Sequence, residues 1–327
     1  MNRGPIFIAG LERSGTSLAY ALLASHPNIA MTRRTNLWTY FYNQFGDLSK
    51  PENFERCLTT MMRYKRLAKL RLDPERLRRE FSQGERSYGR LFALLEEHHA
   101  ERLGKSRWGD KSLNTERYAQ PIFQAYPSAK ILHMMRDPRD RYSSVVARWG
   151  QRRGGAGAGT AMWLDSASWA QRNREQFPDN YMVVRYETLV AQPEATVRQI
   201  CAFIGEEYQP EMLGMQGAPE FRNDGGNSSY GSRTPGQIST NSIGRYRKVL
   251  SQLDIQFIQT RAKSKMPAFG YDLDPIQWTS KEQLTYALVH LPVSLAQMWA
   301  WRLINGVENQ RGRALPAYRI IPEASTT

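Results

Sequence analysis

The chain is poor in the residues that would make it a disulfide scaffold, a metal protein or a membrane-spanning one. Its 327 residues include two cysteines, Cys57 and Cys201. Two thiols that far apart build no disulfide framework and no metal set, and both are expected to be buried in a reducing compartment. Histidine is scarce too, at five residues, and no His/Cys/Asp cluster has ligand spacing, so no metal is expected. No uncharged apolar run is long enough to span a bilayer. The nearest, Tyr286 to Trp301, is interrupted by His290 and Pro292 and reads as an amphipathic or core helix pair. A strand is expected within a few residues of the start, leaving no room for a secretory signal, so the expected location is cytoplasmic. No internal repeat is evident.

Acidic residues are outnumbered by basic ones, 31 to 45, leaving a formal charge of +14. That excess asks for an anionic partner: nucleic acid, an anionic membrane surface or a small polyanionic ligand. The arginines form no single tail. They recur at Arg63, Arg66, Arg71, Arg76, Arg78 and Arg79, and again from Arg136 to Arg153. No aromatic-interleaved basic pattern accompanies them, so nucleic acid is not expected. A hydrophobic content of 41% with 11% aromatics indicates a globular chain with a sizeable core.

The most informative stretch runs from Ile6 to Leu23. An apolar run, Ile6 to Ala9, meets a turn with Gly10 and Gly15, then a segment with Leu18, Leu22 and Leu23 on one face. This is strand, tight loop, helix, and the N–H groups and dipole at the helix start suit a phosphate or sulfate. Ser14, Thr16 and Ser17 add hydroxyls and Arg13 adds a charge. The glycine spacing matches G-x-x-x-x-G-K-[ST], but Thr16 stands where that pattern has lysine.

Downstream, Ile29 to Met31 reads as a short strand and 51–104 as a charged helical insertion broken near Asp73-Pro74. Ala129 to Met135 reads as a strand buried on both faces, entering the polar turn Arg136-Asp-Pro-Arg and a helix carrying Ser144. Gln151 to Thr160, rich in glycine, is expected to be a flexible loop, a lid or a plain linker. Helices are expected over Trp163–Phe177, Pro193–Ile204, Ile255–Met266 and Lys281–Ile304, a strand over Tyr181–Arg185, and a long polar loop from Pro219 to Ser242. Strand–helix alternation implies an α/β, P-loop-like three-layer fold: a central parallel sheet flanked by helices. The expected division is 1–275 for the main domain, with its insertion, and 276–327 for a C-terminal helical extension. Trp278, Trp299 and Trp301 in that extension leave core packing and peripheral membrane contact both open.

The stretch R-S-G-T-S-L at Arg13 resembles the 5′-phosphosulfate loop of sulfotransferases that use 3′-phosphoadenosine 5′-phosphosulfate (PAPS), the bacterial and tyrosylprotein types most closely. R-D-P-R-x-x-x-x-S from Arg136 to Ser144 resembles their 3′-phosphate site, and Arg148 fits a further family position. Trp108-Gly-Asp-Lys111, Arg185-Tyr186-Glu187-x-Leu and Ile243-Gly-Arg245-Tyr-Arg247 follow in family order, with Ser232 aligned more weakly. The resemblance spans roughly residues 5 to 271. It implies a PAPS-dependent sulfotransferase acting without metal on a hydroxyl acceptor (small molecule, glycan or lipid). Arg13, Ser14, Gly15, Thr16, Ser17, Leu18, Arg136, Ser144, Arg148, Tyr186, Ser232 and Arg245 would bind the nucleotide, and Arg13 and Lys111 would act on the transferred group.

The general base is harder to place. Arg33-Arg34 stands where the tyrosylprotein relatives carry glutamate, which favours an anionic acceptor. Asp110 is the preferred candidate, with Asp47 behind it. Two alternatives stay open: a P-loop kinase or nucleotide hydrolase, disfavoured by Thr16 at the lysine place, and a nucleotide-binding relative that no longer transfers.

Overall fold

The computed structural model describes residues 3–150, 154–224, 234–311 and 313–322. β1 (Ile6–Ala9) leads through a tight loop into α1 (Thr16–Ala24), and β2 (Ile29–Arg33) follows. Then come α2 (Pro51–Met62), α3 (Pro74–Ser82), α4 (Tyr88–Arg102), β3 (Arg107–Lys111) and α5 (Ala119–Ala125). β4 (Lys130–Met135) runs into α6 (Pro138–Trp149), followed by α7 (Gly155–Gln176), β5 (Tyr181–Arg185), α8 (Tyr186–Ala191) and α9 (Pro193–Ile204). The last helices are α10 (Gln252–Ala262), α11 (Ser280–Thr285) and α12 (Leu291–Arg311), the final two joined by a π turn at Tyr286–His290.

The strands form one parallel sheet in the order β2-β3-β1-β4-β5. Alternation along each strand sends its side chains into two separate cores. Phe7, Ala30, Trp108 and Ile131 pack with Leu58, Leu77 and Phe92 of α2, α3 and α4. Ile6, Ile8, Met31 and Leu132 pack with Leu22 of α1 and Ile200 of α9. The fold is therefore the expected three-layer α/β one, and the stretch read as an insertion is the layer that covers one sheet face. Cys57 and Cys201 are buried, one in each core.

Two stretches depart from the sequence reading. β3 was not anticipated as a strand, because Arg107, Asp110 and Lys111 break the apolar pattern of a buried one. Each is nevertheless buried, and Arg107 is satisfied by Gly4 O, Ile204 O and Glu206. Gln151, Arg152 and Arg153 lie outside the described residues, and from Gly155 onward the glycine-rich run is not a loop but the start of the long helix α7.

The reason is close approach. A Cβ on Gly157 would lie 1.9 Å from Ser294 O of α12, and one on Gly159 would lie 2.8 Å from Tyr142 Cδ2 of α6. Glycine is used here to bring helices together rather than to bend the chain. On the same face Gln297 accepts the Gly157 N–H, and Met298 joins Tyr142, Ala161 and Ile258 in a common apolar cluster. The stretch from Tyr286 to Trp301 is thus packed onto the main body.

Gly157→Val should force α12 away from α7. The expected cost is about 1–3 kcal/mol of stability, read as a lower denaturation midpoint together with faster amide exchange across 291–309. Unchanged exchange there would show that the close approach is dispensable.

Candidate active site

Parallel pairing of β1 with β4, with Ala9 opposite His133, places the loops leaving both strands side by side. The first loop turns on Gly10, Arg13 and Gly15, with φ of 117°, 68° and 93°. Its entry is fixed by the Gly10 N–H, which donates to the buried Glu116 carboxylate at 3.0 Å. At its exit a Cβ on Gly15 would meet Tyr186 Cδ2 at 2.5 Å, so glycine is required by space as well as by φ. Ser14, Thr16 and Leu18 are buried and Ser17 half-buried where α1 begins. The first N–H groups of α1 and its dipole face this point.

The second loop closes the circle. Arg13 Nε donates to Ser144 Oγ at 2.8 Å, across 131 residues of sequence. Arg136 donates to Arg13 O at 3.0 Å and to Ser242 O at 2.8 Å, and its guanidinium lies 4.5 Å over the Tyr186 ring. The Tyr186 hydroxyl in turn meets Ser242 Oγ at 2.7 Å. Arg136 forms no salt bridge with its neighbouring acids. Asp137 caps α6 and pairs with Arg139, while Asp140 accepts the N–H groups of Gly244 and Tyr246 from the late loop.

The structure therefore brings together Arg13, Ser14, Gly15, Thr16, Ser17, Leu18, Arg136, Ser144 and Tyr186. Arg245 sits half-buried in the late loop, one residue past Gly244. Arg148 is exposed at the last turn of α6, away from this packing. Ser232 lies outside the described residues.

β3 distributes its charged side chains to opposite faces. Lys111, with Gly109 and Arg107, is on the α1 face; Asp110, with Trp108, is on the α4 face. Burial pulls Lys111 down to about 7, with Arg34 and Arg33 pushing the same way and Asp110 opposing. Asp110 accepts from Thr32 at 2.9 Å and Thr35 at 2.8 Å, and Thr32 also reaches Glu96 at 2.9 Å. Both carboxyls are pushed up by burial, and the charge of Asp110 pushes Glu96 up further. Asp110 is thus turned away from Lys111. Asp47 is exposed and bonds Ser49.

Beside the first loop opens a two-part cleft of about 670 Å³ and 410 Å³. Leu11, Thr39, Asn114, Met162 and Arg313 line both parts. Glu12 and the buried Arg141 border the smaller one, and Trp301, Ile304 and Asn305 of α12 wall the larger. Arg117 fixes that wall by donating to Asn305 and Asn309, each at 2.7 Å. No His/Cys/Asp/Glu group among the described residues could hold a metal ion.

A sequence profile described as "Sulfotransferase family" matches residues 5–210, which contain both loops and β3. The chain belongs to the sulfotransferase family. Protein-tyrosine sulfotransferase of Drosophila melanogaster is 25% identical over 222 residues; the match takes in 64% of this chain and 39% of that protein. Solved structures share the fold, among them two sulfotransferase domains. One is the sulfotransferase domain of the Synechococcus PCC 7002 olefin synthase, with TM-score 0.53 and 20% identity over 83% of this chain and 95% of that one. The other is the sulfotransferase domain of the curacin biosynthetic pathway, with TM-score 0.53 and 18% identity over 83% and 99%.

Within this member of the sulfotransferase family, the roles of three acidic residues escaped the sequence reading: Glu116, which anchors Gly10; Glu187, which accepts the Asp137 N–H; and Asp140, which holds the late loop. Asp140 and Glu187 sit inside recognised motifs, so motif context was a usable signal for them. Glu116 had none.

Lys111 supplies a pH test. Its folded value of about 7 lies below its ordinary 10.5, so between those values the unfolded chain binds more protons and stability rises with pH. The cost of burying its charge is fully present below about 7 and is gone above about 10.5. Lys111→Met should therefore melt higher than the parent near pH 6, with the gap closing towards pH 10.5. A gap independent of pH in melting experiments would count against a buried, unneutralised ammonium.

Proposed function

We propose that this chain transfers a sulfuryl group from PAPS to a hydroxyl held in the cleft beside the first loop. The observation that carries the reading is the junction of Arg13, Ser144 and Arg136 at the start of α1. Its residues suit a nucleotide with phosphates at both ends. Arg136 Nε is buried and has no partner among the described residues, leaving a donor for a phosphate oxygen, and arginine's fork matches that geometry. The N–H groups from Ser14 to Leu18 would cradle the 5′-phosphate, and Arg136, Ser144 and the late loop with Arg245 would hold the 3′-phosphate.

PAPS supplies an activated sulfuryl group on a good leaving phosphate. The acceptor oxygen forms a bond to sulfur, the bond from sulfur to the 5′-phosphate oxygen breaks, and the acceptor proton must go to a base. Charge builds on the bridging and terminal oxygens as in phosphoryl transfer, so catalysis is mostly positioning and electrostatic stabilisation. Arg13 answers the bridging oxygen. Lys111 answers the sulfuryl oxygens, which would also restore its proton.

For the base we favour Glu12 over Asp110. Glu12 adjoins Arg13 and borders the cleft, its carboxylate 3.8 Å from Arg141, whereas Asp110 faces the α4 side. Arg34 and Arg313 beside Lys111 and the cleft support an acceptor carrying negative charge. A cytoplasmic setting agrees with two buried thiols and with the absence, among the described residues, of any helix long and apolar enough to cross a membrane.

Calorimetry decides the nucleotide. Adenosine 3′,5′-bisphosphate should bind at least tenfold more tightly than ADP with Mg²⁺; the reverse order would favour a nucleotide hydrolase. Where turnover is measured, Glu12→Gln should lower it by about 10²-fold or more with bisphosphate affinity kept. Asp110→Asn should chiefly alter the melting temperature. A large loss confined to Asp110→Asn would return the base to that residue.

A further inference from the structure

The helical segment from α11 through the π turn to α12 has two different sides. Inward, Leu291, Leu295, Met298 and Trp301 pack against α7 and α10. Outward, the side chains are also apolar: Leu284 is 60% exposed, Leu288 67%, Val293 51%, Trp299 58%, Leu303 69% and Val307 50%. They recur every four to six residues and are all exposed, opposite the packed side, so they form a broad outward stripe about 35 Å long at the helical rise. Most of the exposed large hydrophobics of the described residues lie in this one segment. Isolated exposed leucines need no explanation, but a continuous stripe does.

Charge indicates what covers it. Between Leu284 and Val307 the sequence has no acidic residue and one formally charged one, Arg302. Arg302 lies over the Trp299 ring at 5.3 Å, an aromatic with a cation beside it at the edge of the stripe. Lys281 is exposed one turn before the stripe, and Arg261 acts on Tyr286 from α10. Two copies of a chain with net charge +14 repel one another, and the stripe offers no carboxylate to bridge them. An anionic bilayer supplies both missing parts: hydrocarbon for the stripe and phosphate for the cations. Since the segment is neither long nor apolar enough to span, it would lie in the interface plane.

The stripe also adjoins the cleft. Ile304 is 61% exposed at the stripe's edge and lines the larger cavity together with Trp301, Asn305, Glu308 and Asn309 of the same helix. A surface covering the outer face of α12 would therefore meet the cleft at its rim.

We propose that the outer face of α11 and α12 rests on an anionic lipid surface, and that the cleft takes a hydroxyl acceptor anchored in it. The acceptor half rests on the sulfuryl-transfer reading; the surface half does not.

Flotation of the full chain tests the surface half without any turnover. Phosphatidylcholine vesicles containing phosphatidylglycerol should carry the protein at least tenfold better than phosphatidylcholine alone, and raised salt should weaken the attachment. The double variant Leu288→Gln/Leu303→Gln, two exposed positions outside the cleft, should lose at least tenfold in flotation while keeping the parent's melting temperature and bisphosphate affinity. Absence of flotation, equal flotation on both vesicle types, or equal behaviour of parent and variant would overturn the proposal. So would self-association in lipid-free buffer, abolished by the same variant and unaccompanied by flotation, which would assign the stripe to a second copy. For the acceptor half, sulfate label from PAPS should enter the organic-phase lipids of a membrane extract. Label confined to water-soluble acceptors would overturn that half, and label in neither phase would sink the transfer reading while flotation stands on its own.

Discussion

One buried guanidinium ties together the loops at the start of α1. Arg136 ends β4, is 5% exposed, and uses its donors on carbonyls of two loops that are far apart in sequence, Arg13 O and Ser242 O. Its flat face rests on Tyr186. A buried cation is expensive unless something answers its charge, and acids stand one and four residues away. Neither forms an ion pair with it: Asp137 caps α6, and Asp140 holds the late loop by its N–H groups. The Arg136 charge still acts on Asp140 and Glu187, so acids that build the scaffold offset part of it. An incoming anion would then complete an arrangement that is already assembled.

The same logic divides β3. Because side chains alternate along a strand, neighbouring residues can live in opposite electrostatic worlds. Lys111 stands in a crowd of cations with Arg33 and Arg34, and burial drives it towards the neutral amine. Asp110, one residue earlier, stands near Glu96, and burial drives both towards the neutral acid. On the α4 face both carboxyls contact the Thr32 hydroxyl. On the α1 face a negative ligand would oppose the shift.

Much of the donor side was legible because it is local in sequence. Ile6 to Leu23 shows strand, loop and helix in order, and Arg136 to Ser144 shows a strand end, a cap and a helix hydroxyl within nine positions. The register of β1 with β4 then does the long-range work. β3 was not legible as a strand, since Arg107, Asp110 and Lys111 look like surface residues until Glu206, Thr32 and Thr35 are seen to surround them. Glu116 lacked a signal for the same reason: its partners Gly10 and Ser166 come from distant segments. The glycine run at Gly155 to Gly159 misled in another way. Glycine marks flexibility and close approach alike, and only the position of Ser294 decides which applies.

The cleft differs in kind. Its walls come from Tyr42 after β2, Arg117 before α5, Trp169 of α7 and Asn305 of α12, drawn together by tertiary packing alone. No single motif contains two of these walls, so no motif could have announced the cleft. This separation has a functional consequence. The junction at the start of α1 depends on three loops tied by Arg136, whereas the cleft depends on how α12 lies on α7 and on which residues those surfaces carry. Substitutions along α12 can therefore reshape the acceptor wall, or its outer face, without disturbing the nucleotide-side junction. One scaffold can in this way keep its transfer chemistry while its acceptor changes.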